Sequence, residues 1–201
     1  MLLLERLLSP ATKSNATVAR VLDSARLLFL ERNYADVTMS QIAAKAAVTK
    51  GALYHHFDSK EELYVRFLLE DLEQKRALHA QALLAGASAR ERLEFLTRAF
   101  LELPAERRDV ISLVRRDINV FRGAVREELI RAYQHALPEL VEEILRAGIE
   151  RGELKPGDPR LLSWHFVAMV EVLLTPYADG ALDTEAKLAT VLNLFFGGAA
   201  A

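Results

Sequence analysis

Apolar residues recur along this chain with the spacing of an α-helix, and no segment alternates as a β-strand does. Near the start, Val18, Val21, Leu22, Ala25 and Phe29 stand three or four positions apart, so they share one helix face. Comparable stripes continue through the rest of the sequence. The pattern predicts an all-α protein of about nine helices, at residues 14–32, 38–46, 49–55, 59–84, 88–103, 106–119, 123–150, 159–175 and 184–196.

Helix ends are marked by residues that satisfy the free backbone groups there. In three capping boxes a Ser or Thr stands three residues before a Glu or Gln: Thr38 with Gln41, Ser59 with Glu62, and Ser88 with Glu91. Asn33 is expected to end the first helix in the left-handed conformation, and Gly152 to end a later one.

Composition excludes several classes of protein. The chain has no cysteine, so disulfides, thiol catalysis and cysteine-bound zinc are excluded. Its apolar runs fall short of the roughly 18 residues that span a bilayer, and Glu5 and Arg6 interrupt the apolar start MLLLERLL. We therefore expect no signal peptide, no membrane association, no cofactor and a cytoplasmic location.

Charge is distributed unevenly along the chain. Residues 1–60 hold eight Lys or Arg and five Asp or Glu, a net charge of +3. The whole chain has a net charge of −2, so the remainder carries −5. A basic N-terminal part followed by an acidic remainder is typical of a protein that contacts nucleic-acid phosphate at one end.

Two short predicted helices, 38–46 and 49–55, form a helix-turn-helix candidate, whose second helix would enter the major groove of DNA. The N-termini of these helices favour phosphate, and a glycine in the second one permits close approach of its backbone. With the exposed polar groups between them, these features are suited to binding DNA. The expected DNA contacts are Thr38, Thr49, Lys50, Gly51, Ala52, Tyr54, His55 and, at the next helix start, Lys60.

Other functions compete with this one. His55 and His56 could suggest a metal site, but neighbouring helical residues point about 100° apart and converge poorly on one ion. No catalytic motif with a supporting context is found, so we predict no catalytic residues and no metal site. An enzyme and a helical metabolite-binding protein without DNA function remain the alternatives.

The stretch TMSQIAAKAAVTKGALYHHFDSKEEL, residues 38–63, resembles the signature of TetR-type transcriptional repressors. The segment AGIERGEL, followed by Asp158-Pro159, resembles their second half. This resemblance implies a DNA-binding head at 1–60, with 1–13 as an extension, and a ligand-binding and dimerisation domain at 61–201. Ala47 stands where the family usually has glycine, and Ala52 where a hydroxyl is common.

The resemblance also implies a homodimer on a palindromic double-stranded DNA operator. Helices 159–175 and 184–196 are apolar on more than one face, so they need cover on two sides. Pairing with their two-fold mates in a four-helix bundle would provide it. The expected interface residues are Leu161, Trp164, Val172, Leu188, Val191 and Phe195.

A small-molecule effector is expected in the larger domain. Between positions 107 and 131 there are seven arginines and four acids, and arginine suits bidentate phosphate recognition. With the apolar residues nearby, this pattern favours an acyl-coenzyme A that relieves repression. The alternative is an uncharged hydrophobic or aromatic effector, with the arginines paired to Asp and Glu. The expected ligand contacts are Phe95, Phe100, Ile111, Val114, Arg115, Ile118, Phe121, Arg122, Leu129 and Tyr133.

Overall fold

The computed structural model describes residues 12–175, 178 and 182–199, and these contain helices but no strand. The all-α prediction is therefore confirmed. We number the α-helices of these residues in chain order: α1 Thr12–Glu31, α2 Met39–Lys45, α3 Lys50–His56, α4 Lys60–Ala80, α5 Ala89–Leu101, α6 Ala105–Arg108, α7 Val110–Asp117, α8 Gly123–Ala136, α9 Pro138–Glu150, α10 Pro159–Val172 and α11 Thr184–Ala199. Two 3-10 turns, Tyr34–Asp36 and Gln81–Leu83, follow α1 and α4.

All nine predicted segments are helical, and two of them are divided. The segment 123–150 is interrupted at Leu137, whose backbone (φ −142°, ψ −60°) leaves the helical region. Pro138 explains this break, because proline lacks an amide donor and restricts the residue before it. The segment 106–119 is divided at Asp109, which ends α6 and begins α7.

The predicted caps form as local hydrogen bonds. Thr38 Oγ1 accepts from the amide of Gln41 while the Gln41 side chain accepts from the Thr38 amide, 2.8 Å away. Ser88 and Glu91 form the same reciprocal pair at the start of α5. The Ser59 hydroxyl caps α4, but the Glu62 carboxylate accepts from the Asp58 amide instead of closing the box.

Backbone conformation confirms the prediction for Gly152, which follows α9 with φ +74°, and corrects another. Ala47, between α2 and α3, has φ +51°, so it adopts the left-handed conformation at the position where the family usually has glycine. The strain is about 1 kcal/mol. Asn33 was predicted to be left-handed, and this is wrong. Its φ of −66° is ordinary, because it begins the 3-10 turn and accepts a backbone hydrogen bond from Asp36.

The chain divides into two compact units at Leu68 and Leu69, within α4. In the first unit an aromatic cluster fixes α1 to the start of α4: the ring of Phe29 meets that of Tyr64 edge-on at 4.5 Å. Leu53 and Phe57 are fully buried, so they hold α3 against this core and leave its other face exposed.

In the second unit α9 packs against α5, α8 and α10, and α5 also packs against α11. A side chain at Gly148 on α9 would come within 2.7 Å of the Ala89 Cβ on α5. Glycine at this position therefore allows α9 and α5 to approach closely.

The inward face of α4 in the second unit is polar. Asp71, Lys75 and His79, each four residues apart, are all buried. Lys75 pairs with Asp71 and donates to the carbonyl of Arg107 at 2.7 Å. Burial lowers the pKa of His79 to about 4, assisted by the nearby Lys75. Its neutral ring hydrogen-bonds the carbonyl of Ala136 at 3.0 Å.

Among the described helices, none combines the length and the apolar character that crossing a bilayer requires.

Candidate nucleic-acid interface and effector cavity

The exposed face of α3 brings together most of the predicted DNA contacts. The Thr49 hydroxyl caps α3 by accepting from the Ala52 amide at 3.1 Å, and Ala52 is half-buried. Tyr54 is 46% exposed. Thr38, Thr49, Lys50, Gly51 and His55 are exposed as well. The side chains on this face can therefore reach a duplex without any change to the core.

Gly51 is the informative member of this face. A methyl group built on it meets no atom within 4 Å, and its φ lies outside the left-handed range. Neither packing nor backbone conformation in the folded chain therefore requires a glycine, although glycine in a helix costs up to about 1 kcal/mol relative to alanine. An exposed glycine here leaves the α3 backbone open to close approach by another molecule.

Lys60 has a different position from the one predicted. Its ammonium donates to the carbonyls of Tyr34 at 2.8 Å and Val37 at 2.9 Å, and lies 4.3 Å from the centre of the Tyr34 ring. These contacts hold the 3-10 turn against the start of α4. The Lys60 ammonium therefore forms its hydrogen bonds within the protein, and we remove Lys60 from the candidate phosphate contacts.

His55 and His56 lie side by side with ring centres 5.2 Å apart, and His55 is exposed while His56 is half-buried. No group of three potential ligand side chains that could hold a metal ion is found in residues 12–175, 178 and 182–199.

The second unit contains a cavity of about 260 Å³ between α7, α8 and α10. Four predicted ligand contacts lie in its wall: Val114, Arg115, Ile118 and Tyr133. The wall also includes residues that were not predicted as ligand contacts: Ile130, Gln134, Trp164, Val167, Ala168 and Glu171. Their helical spacing on α8 and α10 was a usable signal, because each set forms one face of its helix.

The other predicted ligand contacts are not in this wall. Phe100, Ile111, Phe121 and Leu129 are at most 2% exposed and belong to the packed core. Phe95 and Arg122 are exposed on the surface. These six residues do not line this cavity, since apolar periodicity does not distinguish a core position from a cavity wall.

An ion pair crosses the cavity. Arg115 on α7 pairs with Glu171 on α10, and the Tyr133 hydroxyl on α8 donates to the same carboxylate at 2.8 Å. Burial raises the pKa of Tyr133 above its ordinary value of 10.0, against the lowering influence of Arg115, so the hydroxyl remains a donor. The Tyr133 and Trp164 rings, with centres 6.0 Å apart, give the wall an aromatic face.

The arginine-rich segment is largely engaged with protein groups. Arg116 forms a two-point pair with Asp117 at 2.8 and 2.9 Å, and Arg107 donates to Gln74 at 3.0 Å. Arg108 donates to the carbonyl of Leu101, and Arg131 lies 3.9 Å from Glu127. Arg116 and Arg131 thus fit the alternative in which these arginines pair with Asp and Glu. In the part of the chain that the structure describes, Arg122 and Arg126 have no acidic partner.

The six predicted interface residues separate into two groups. Leu161, Trp164 and Val172 on α10 are 55%, 36% and 46% exposed. Leu188, Val191 and Phe195 on α11 are buried within the chain, and the Phe195 ring meets Phe166 at 5.1 Å. The face of α11 that these three form packs inward within one chain, and Phe195 also borders a groove beside α10, so their place in a dimer interface stays a prediction. The exposed large apolar residue of α11 is Leu194.

Comparison with known proteins identifies the family. Residues 21–67 match the family model for bacterial regulatory proteins of the tetR family, and residues 86–199 match the tetracyclin repressor-like C-terminal domain. The transcriptional repressor KstR2 of Rhodococcus jostii is 27% identical over 171 residues, which are 83% of this chain and 84% of that protein.

Two solved structures share the fold. The TetR family regulator PfmR of Thermus thermophilus is 26% identical with a TM-score of 0.75, over 88% of this chain and 96% of that one. The regulator FadR of Bacillus subtilis, in complex with stearoyl-CoA, is 23% identical with a TM-score of 0.77, over 90% and 98%. This chain belongs to the TetR family of bacterial transcriptional regulators.

Proposed function

We propose that the protein is a repressor that binds a palindromic operator as a homodimer, with α3 of each copy in a major groove. The exposed α3 face supports this, and Gly51 carries it, because this glycine has no role within the fold. One such head contacts little DNA, so two copies on half-sites about 34–36 Å apart are needed for tight binding.

The proposed dimer surface is the exposed apolar side of α10 and α11. Leu161 and Val172 stand three helical turns apart on one face of α10, and Leu194 is 69% exposed on α11. A groove between the two helices is lined by Leu162, His165, Ala168 and Met169 together with Leu194 and Phe195. The second copy would cover apolar surface that otherwise meets water.

Changing Leu161 and Leu194 together to glutamate is expected to give monomers, because both carboxylates would have to be buried at the interface. Both residues are exposed in the single chain, so the helical content should be unchanged. Light scattering measures the mass. Leu84→Glu is the control, since Leu84 is 90% exposed elsewhere. A dimer of normal stability in the double variant would place the interface on another surface.

For the effector we propose an acyl-coenzyme A whose acyl group occupies the cavity. At about 260 Å³ the cavity lies below the roughly 300–1,000 Å³ of complete small-molecule sites, so it suits part of a larger ligand. Its wall is largely apolar and includes Arg115, which can meet an anionic group of the ligand. The stearoyl-CoA complex of FadR is an example of such a ligand within this fold.

An uncharged aromatic effector is the second candidate. The Tyr133 and Trp164 rings favour it, since they offer aromatic contact within the same wall. In either case, the effector shifts operator affinity only by the difference in its affinity for the two conformations of the dimer. Occupied cavities would favour a head spacing that no longer fits successive major grooves.

Release of operator DNA by a series of acyl-CoAs tests both parts of the proposal. The operator is first selected from genomic fragments by gel shift. Release is expected to strengthen with chain length, because each buried CH₂ contributes about 0.8 kcal/mol until the cavity is full. Free coenzyme A should not release the operator. Failure of every acyl chain together with release by an uncharged aromatic would overturn the acyl-CoA proposal.

A further inference from the structure

The ion pair across the cavity is asymmetric. The side chain of Glu171 is 11% exposed, whereas that of Arg115 is 62% exposed. Glu171 also has a second partner, since the hydroxyl of Tyr133 donates to it at 2.8 Å. The carboxylate would therefore remain hydrogen-bonded if the guanidinium moved away, and the guanidinium lies on the solvent side, where it can move.

We propose that Glu171 is a built-in competitor of the effector for Arg115. In the empty cavity its carboxylate occupies the guanidinium that would otherwise receive an anionic group of the ligand. An anionic group next to an apolar tail displaces it, and Tyr133 then holds the released carboxylate. The inference rests on the proposed effector cavity and adds a ligand class: amphiphiles whose phosphate or carboxylate reaches Arg115.

Competition predicts that a substitution in the cavity wall increases the affinity for a ligand. Removing a polar residue from a binding cavity normally weakens binding, but removing the charge of Glu171 should strengthen the binding of anionic ligands. The exposed side of the pair keeps the effect small, because ion pairs with an exposed partner contribute about 0.2–1 kcal/mol. We therefore expect about a 1.4- to fivefold gain in affinity, which is that free energy converted to a ratio.

The test compares three probes that share one tail: decanoyl-CoA, decanoate and decan-1-ol, which carry phosphates, a carboxylate and no charge. Trp164 is the only tryptophan of the chain and lies in the cavity wall, so its fluorescence reports occupancy directly. Each affinity for an anionic probe is divided by the affinity for decan-1-ol, which cancels changes in apolar packing.

Glu171→Gln is expected to raise this ratio about 1.4- to fivefold. Arg115→Gln should lower it, and in the double variant Glu171→Gln should have no further effect. Tyr133→Phe should also lower it, because the displaced carboxylate loses its remaining partner. Glu127→Gln is the control, since it removes the same charge from the exposed pair with Arg131. It should leave the ratio unchanged.

An unchanged or lowered ratio in Glu171→Gln overturns the competition, as does the absence of any binding by both anionic probes. A response to decanoyl-CoA but not to decanoate assigns the recognised anion to the coenzyme, and a response to both assigns it to either group. If the ratios change as expected while decanoyl-CoA leaves the operator complex intact, the effector proposal fails and the competition stands.

Discussion

Replacing Lys50 or Tyr54 with alanine is expected to abolish operator binding at physiological salt while the fold and the dimer remain intact. A hydrogen bond to a charged group such as phosphate contributes about 1.5–3 kcal/mol. A dimer loses two of them, so affinity should fall by about 10²- to 10⁴-fold. Both side chains are exposed, and their removal leaves the core unchanged.

Two further measurements distinguish DNA binding by α3 from a general change in charge. Without the Lys50 ammonium, the slope of log affinity against log salt should decrease by about 1 for each phosphate that it neutralises. Arg131→Ala, on an exposed face of α8, should leave this slope unchanged. Wild-type affinity in both Lys50→Ala and Tyr54→Ala would exclude α3 as the recognition helix.

Gly51→Ala is a third variant on α3 whose operator affinity can be measured alongside that of Lys50→Ala and Tyr54→Ala. Its methyl group meets open space, so the folded state should be equally stable or more stable by up to about 1 kcal/mol. Operator affinity should nevertheless fall, because the methyl group would stand between the α3 backbone and DNA. Normal affinity in this variant would remove the observation on which the proposed interface chiefly depends.

Replacing Lys75 with methionine is expected to lower the free energy of unfolding by about 3–5 kcal/mol, because it leaves the carboxylate of Asp71 buried without a charge partner. The side chains of Asp71 and Lys75 are only 2% and 4% exposed. The substitution also removes the donor to the carbonyl of Arg107. Urea unfolding followed by circular dichroism measures the loss.

The double variant Asp71→Leu with Lys75→Met is the control for this prediction. Replacing a buried pair by apolar residues is often close to neutral. The double variant should therefore be at least about 2 kcal/mol more stable than Lys75→Met alone, although the carbonyl of Arg107 loses the hydrogen bond from Lys75, which keeps the variant below wild type. Equal losses in both variants would show that packing, and not the unpaired charge, sets the cost.

Local features of the fold could be predicted because they depend on residues close in sequence. The Thr38 and Gln41 capping box and the left-handed Gly152 are each decided within a few residues, and both are found. Asn33 shows the limit of such reasoning. It tolerates a left-handed backbone but does not require one, and the 3-10 turn that follows takes it into an extended conformation.

The candidate site was predicted unevenly for the same reason. The exposed side of α3 follows from its position between two helix starts and from its buried Leu53 and Phe57. The hydrogen bonds of Lys60 could not be predicted in this way, because the carbonyls of Tyr34 and Val37 that accept them lie more than 20 residues away in sequence. The same ammonium could have served phosphate or the protein, and only the folded chain distinguishes the two.

By itself the sequence determined the helical class, the helix starts and the exposed face of α3, since periodicity and capping are short-range properties of the chain. Tertiary structure alone decided which apolar residues line a cavity and which fill the core, as Val114 and Ile111 on the same helix show. It also brought Arg115 to Glu171 across 56 positions. Such contacts depend on how helices pack, and many different packings satisfy the same periodic pattern.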